Sequence, residues 1–143
     1  RIAAGAPYAI RLDSNLAAQR AGPDLHWRDE QQGVQELQPK MHGDVVLARK
    51  DTPTSYHLAV VVDDALQGIT KVTRGADLFA ATHVHRLLQA LLSLPTPAYD
   101  HHRLLRDDGG TRLAKRHGAV SLAQLRDEGQ DPTALRRTLE LEW

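Results

Sequence analysis

The sequence contains no cysteine, which excludes a disulfide framework, a thiolate metal site and a cysteine nucleophile. Aromatic residues are scarce, at 4%: Phe79, Trp27, Trp143 and three tyrosines. The core is therefore expected to be aliphatic. No apolar run approaches the roughly 18 residues that span a bilayer; the longest, Leu58 to Val62, is of strand length. Eighteen Lys and Arg balance eighteen Asp and Glu, which rules out a strongly basic chain but not a local basic patch. There is no repeat and no low-complexity stretch. The first residue is Arg1, and no signal-peptide pattern follows it, so the reading is a processed or excised chain.

What remains is an ordinary globular composition. The chain has 143 residues, 41% hydrophobic and 25% charged, within the usual size and make-up of one soluble domain. Its charge is unevenly placed. Residues 1–70 carry seven basic and nine acidic side chains, and residues 71–116 carry eight basic and four acidic. An anionic partner would therefore meet the second half.

The first part reads as a small antiparallel β region. Tyr8 to Leu12 alternates apolar and polar, Leu25-His26-Trp27 follows a polar stretch with Gly22-Pro23, and Asp44 to Ala48 is a further strand candidate. Asp29 to Gly33 and Asp51-Thr52-Pro53 are turn material. From Tyr56 the texture changes. Leu58 to Val62 is a continuous apolar run, expected as a strand buried on both faces. Gly68 to Thr73 reads as a second strand, and Asp77 as the N-cap of a helix whose apolar face is Val84, Leu87, Leu88, Leu91 and Leu92. Pro95 and Pro97 end that helix, and Tyr99 to Leu105 is the next strand. The whole predicts an α/β fold with a βαβ unit. Ser121 with Gln124, and Asp131-Pro132, predict the starts of two C-terminal helices, with Gly129 between them. Residues 1–55 are expected to form a connecting β-rich region, and residues 56–143 a Rossmann-like half.

Chemistry in an open α/β sheet gathers at the carboxyl ends of the strands. Asp63-Asp64, Arg74-Gly75, the loop around Lys115, and Tyr56 just ahead of the expected central strand fall at such ends or in adjoining loops. Arg74, between a strand and a helix start, could grip a carboxylate with two prongs or could be a surface turn residue. Arg112-Leu113-Ala114-Lys115-Arg116 suits phosphate neutralisation but equally suits a solvated basic loop. Neither a P-loop nor the G-x-G-x-x-G fingerprint occurs. Of the eight histidines, His83 and His85 lie two apart on a predicted helix, and His101 and His102 are adjacent on a predicted strand. Neither pair can chelate.

The run from Arg49 through Tyr56-His57-Leu58-Ala59 to Asp63-Asp64, then Gly68-Ile69-Thr70 and Val72-Thr73-Arg74-Gly75-Ala76-Asp77-Leu78, resembles the second half of the catalytic domain of the bacterial glutamyl-tRNA synthetases. The likeness is strongest to their short paralogues, the glutamyl-Q tRNA(Asp) synthetases. It extends from about Tyr8 to the C-terminus, and Arg112 to Arg116 stands in place of the class I signature loop, KMSKS or KLSKR. The resemblance implies a class I Rossmann-like domain in a cytoplasmic ligase that activates glutamate with ATP and passes it to tRNA. It implies that Tyr56 and Arg74 bind glutamate and that Lys115 meets the ATP phosphates as the catalytic lysine of the loop, with Mg²⁺ accompanying ATP.

The departures carry their own expectations. No HIGH-like motif precedes Tyr56, so the other wall of the ATP site is missing. The family's cysteine-rich zinc site has no counterpart here. Arg112 replaces the loop's first lysine and Ala114 its serine. The expectation is an incomplete enzyme, inactive alone, that self-associates through an exposed sheet edge and does not engage a membrane. The alternative is a non-catalytic nucleotide- or tRNA-binding module built on the same fold.

Overall fold

The computed structural model describes residues 8–39, 41, 43–107, 109–113 and 120–139. The chain divides into two compact units, Arg1–His102 and Arg103–Trp143.

In the first unit, β1 (Ala9–Leu12) pairs antiparallel with β4 (Val45–Arg49), with an irregularity between Ile10 and Arg11. A four-stranded sheet has the order β3-β2-β6-β5, made of β2 (His26–Asp29), β3 (Gly33–Glu36), β5 (Lys71–Gly75) and β6 (Ala98–His102). The β2–β3 pair is an antiparallel hairpin, while β2–β6 and β5–β6 are parallel. The parallel β5–β6 pair is joined through α3 (Ala81–Leu91), which is the βαβ unit that the periodicity predicts.

The apolar run at Leu58–Val62 is not a strand. It lies inside α2 (Tyr56–Leu66), opened by Ser55, whose hydroxyl accepts from the Leu58 amide at 3.3 Å. The turn after it is equally explicit: the Gly68 amide donates to the Ala65 carbonyl at 3.2 Å and the Ile69 amide to the Asp64 carbonyl at 2.9 Å. Gly68, at φ +67°, takes the left-handed position that this helix end requires. A run of five apolar residues fits a buried helix segment as well as a strand, and here the two caps decide. Asp63 and Asp64 are accordingly helical residues, not residues at a strand end.

Two other expectations change. Asp77 does not cap α3; it lies in a 3-10 turn, Ala76–Leu78, and α3 starts after Ala80 without a side-chain cap. The polar stretch after β1 is helix α1 (Ser14–Ala21), capped by Asp13, which accepts from the Leu16 amide at 2.9 Å. Its buried residues are Ser14 and Ala17, and Leu16 is exposed. A helix that packs through small residues leaves no apolar stripe to read.

The core has two parts. Val45, Val61, Val84 and Leu88 form an aliphatic cluster, with Leu12, Leu47, Val60 and Leu94 against it. The second part is aromatic despite the scarcity of such residues. Trp27 and Tyr99 are almost fully buried, and the Trp27 ring meets Phe79 at 4.9 Å, His83 at 5.4 Å and Tyr99 at 5.5 Å.

In the second unit, the Leu113 amide donates to the Leu105 carbonyl at 3.0 Å, and Arg106 bridges Arg112. Helices α4 (Leu122–Asp127) and α5 (Pro132–Thr138) follow, capped by Ser121 and Asp131 as the sequence predicts. Gly129, at φ +77°, closes α4.

Candidate functional site

Parallel register aligns the site. Across β5 and β6, Arg74 is the partner of His101. Across β2 and β6, Asp29 is the partner of Tyr99, two residues before His101 and so on the same face. Three strands thus deliver a carboxylate, an imidazole and a guanidinium in one row.

Arg74 is half-buried and heavily bonded. Its Nε donates to His101 Nε2 at 3.0 Å, Nη1 to His85 Nδ1 at 3.2 Å, and Nη2 to Thr82 Oγ1 at 2.5 Å and to the Leu78 carbonyl at 3.3 Å. Its Cζ lies 5.2 Å from the centre of the Tyr99 ring. A guanidinium has five N–H donors; these bonds engage four of them and leave one, on Nη1, without an acceptor among the described residues. Arg74 is therefore neither a loose turn residue nor a free fork. It is a strand residue locked to its own scaffold.

Tyr56 opens α2 and is 52% exposed. Its ring stands edge-on to His57 at 5.6 Å and to His85 at 5.7 Å. His85 also meets His57, with 3.0 Å between Nε2 of His85 and Nδ1 of His57. Tyr56 and Arg74 thus meet around one imidazole. Lys115, Ala114 and Arg116 lie outside the described residues. Arg112 and Leu113 belong to the second unit, both exposed.

The electrostatics follow from burial. Burial pushes the Asp29 carboxyl up, but bonds from His101 and from the Gln32 and Gln31 amides outweigh it and hold it below the usual value. Burial pushes His101 down, and the charge of Arg74 adds to this against the pull of Asp29. Burial raises Asp64, opposed by the Arg74 charge and assisted by Asp63.

The sequence reading missed Asp29, Thr82, His85 and His101. His101 escaped because the register that pairs it with Arg74 is set by the sheet. Nothing local marked Asp29.

The sequence matches the family of class I (E and Q) tRNA synthetase catalytic domains over residues 1–142. The chain belongs to that family. Over 137 residues it is 50% identical to a glutamyl-Q tRNA(Asp) synthetase of Rhodobacter capsulatus, covering 93% of this chain and 49% of that protein. It is 39% identical to a glutamate–tRNA ligase of Magnetococcus marinus, over 93% of this chain and 27% of that protein. The fold is similar to a crystal structure of glutamate–tRNA synthetase from Elizabethkingia anophelis, with a TM-score of 0.64 and 28% identity, covering 82% of this chain and 23% of that one. The chain therefore spans about half or less of the length of these relatives, and its α/β architecture is that of the glutamate–tRNA synthetase structure. No helix among the described residues is long and apolar enough to cross a membrane.

Proposed function

We propose that this chain supplies the glutamate-contacting half of a glutamate–tRNA ligase of the glutamyl-Q tRNA(Asp) synthetase type. In that reaction the α-carboxylate of glutamate attacks the α-phosphate of ATP, pyrophosphate leaves, and a tRNA hydroxyl or modified base accepts the glutamyl group. No protein nucleophile is needed; positioning and charge neutralisation supply the catalysis. The observation that carries the reading is the meeting of Arg74 and Tyr56 around His85, a guanidinium beside an exposed phenol. Arg74 would take a glutamate carboxylate through its remaining Nη1–H and its charge. Tyr56 would donate its hydroxyl to the same substrate, and Lys115 would meet the ATP phosphates. Among the described residues no group of three or more His, Asp or Glu side chains could hold a metal ion. A Mg²⁺ ion would come with the ATP phosphates.

The test is glutamate-dependent ATP–pyrophosphate exchange in the full-length gene product. Arg74→Ala should raise KM for glutamate roughly ten- to a hundredfold, the worth of a hydrogen bond to a charged group. Lys115→Ala should mainly lower kcat, since phosphate charge shifts most in the transition state. An unchanged glutamate KM in Arg74→Ala would overturn the reading. Residues 1–143 alone should give no exchange, because no HIGH motif is among them. We also propose that they self-associate, since β3 and β5 are sheet edges and Val34 on β3 is 66% exposed. A single monomeric boundary in sedimentation would exclude that.

A further inference from the structure

Asp29, His101 and Arg74 form one hydrogen-bonded row across β2, β6 and β5, and the chemistry of its ends fixes its middle. Asp29 Oδ2 lies 2.7 Å from His101 Nδ1. An ionised carboxylate accepts only, so the proton sits on Nδ1. Arg74 Nε lies 3.0 Å from His101 Nε2. A guanidinium donates only, so Nε2 must keep its lone pair. His101 is thus held as the neutral Nδ1–H tautomer. Asp29 is anchored in turn: its Oδ1 accepts from the amides of Gln31 and Gln32, each at 2.9 Å. The side chains of both Asp29 and His101 are fully buried.

The surroundings of His101 come from every neighbouring element. Tyr99 stacks at 5.9 Å, Trp27 of β2 lies at 5.9 Å and Phe79 at 5.1 Å. The Thr82 hydroxyl of α3 is 3.3 Å from Nε2. The charged groups acting on the ring are Asp29, Arg74 and Asp100. Burial and the Arg74 charge disfavour a second proton on it.

We infer that Asp29 and His101 are positioning residues for Arg74: the carboxylate orients the imidazole, and the imidazole lone pair holds the Nε edge of the guanidinium so that its remaining Nη1–H serves the substrate carboxylate. The inference rests on the proposed role of Arg74 in binding glutamate. It also carries a consequence of its own. A second proton on His101 would set N–H against N–H and release the Nε edge, so glutamate affinity should fall on acidification.

The experiment has one arm that needs no substrate. Long-range ¹H–¹⁵N spectra of the histidine rings in the full-length gene product should place His101 as neutral with the proton on Nδ1, and should resolve a protected Arg74 Nε–H. A His101 ring protonated on Nε2 at neutral pH would overturn the inference. The second arm measures glutamate KM and kcat in ATP–pyrophosphate exchange. His101→Leu removes the acceptor and should raise KM about tenfold with kcat largely kept. His101→Gln sets a carboxamide oxygen near the place of Nε2 and should recover most of that loss, without the acid limb of the wild-type pH profile. If Arg74→Ala raises KM while His101→Leu does not, the positioning role is wrong and the glutamate reading stands. If neither raises KM, the glutamate reading fails, and the Arg74 Nε–H signal in His101→Leu decides: equal protection there also sinks the positioning role, and its loss supports it. Should His101→Leu not fold, the wild-type tautomer and His101→Gln decide.

Discussion

Helix α3 is buried on two sides built from different chemistry. One side places Val84 and Leu88 against Val45 and Val61. The other turns Thr82, His85 and Gln89 toward the sheet, where they meet Arg74 and the Tyr99 hydroxyl. The aliphatic side is held by area removed from water, which has no direction and tolerates many side chains. The polar side is held by directional bonds, each needing one particular partner, and a buried polar group without its partner is costly. Gln89 is the exception: its Nε2 donates to the Tyr99 hydroxyl at 3.0 Å, while its Oε1 has no partner among the described residues.

The sharpest break of this comparison is Asp29→Ala. It removes a fully buried carboxylate that serves His101 and two backbone amides. Each hydrogen bond to a charged group is worth about 1.5–3 kcal/mol, and Asp29 accepts three of them, so urea unfolding should show the largest loss of the set. Leu88→Ala, on the aliphatic side, should cost about 3 kcal/mol through lost burial and the cavity left behind. Equal or greater loss for Leu88→Ala would mean that the polar side is not the stricter one.

A pH series separates the two sides further. The folded-state proton affinity of His101 lies below its ordinary value of 6.5. As pH falls beneath that value, the unfolded chain takes up a proton that the fold refuses, so stability declines. Asp29 is held below its ordinary 3.8. Its contribution is complete above that value and is lost as pH falls through the lower folded one. Urea midpoints from about pH 8 to about pH 4 should fall with acid in the wild type, and His101→Gln should lose the first part of that decline. Substitutions on the aliphatic side should leave its shape alone. The smallest effect belongs outside both sides. Lys71, 2.5 Å from Glu30 with both side chains over 40% exposed, makes an ion pair in solvent. Lys71→Ala should leave the unfolding midpoint unchanged within error.

Much of the fold was legible because it rests on patterns local to the chain. Asp131-Pro132 and Ser121 mark their helix starts with side-chain caps. Val84, Leu87 and Leu88 state the buried side of α3. What escaped did so for physical reasons. The Leu58–Val62 run is too short for its period to separate helix from strand, and α1 packs through Ser14 and Ala17, which carry no hydrophobic signal.

By itself, then, the sequence determined the α/β class and the βαβ unit. Those follow from periodicity and caps, read within a few residues. Only the tertiary structure decided that Arg74 is a bonded strand residue and that its partners are Asp29, Thr82, His85 and His101. Parallel strands align residues separated by 27 positions for Arg74 and His101, and by 72 for His101 and Asp29. A hydrogen bond at that separation depends on sheet order and register, which no local pattern encodes.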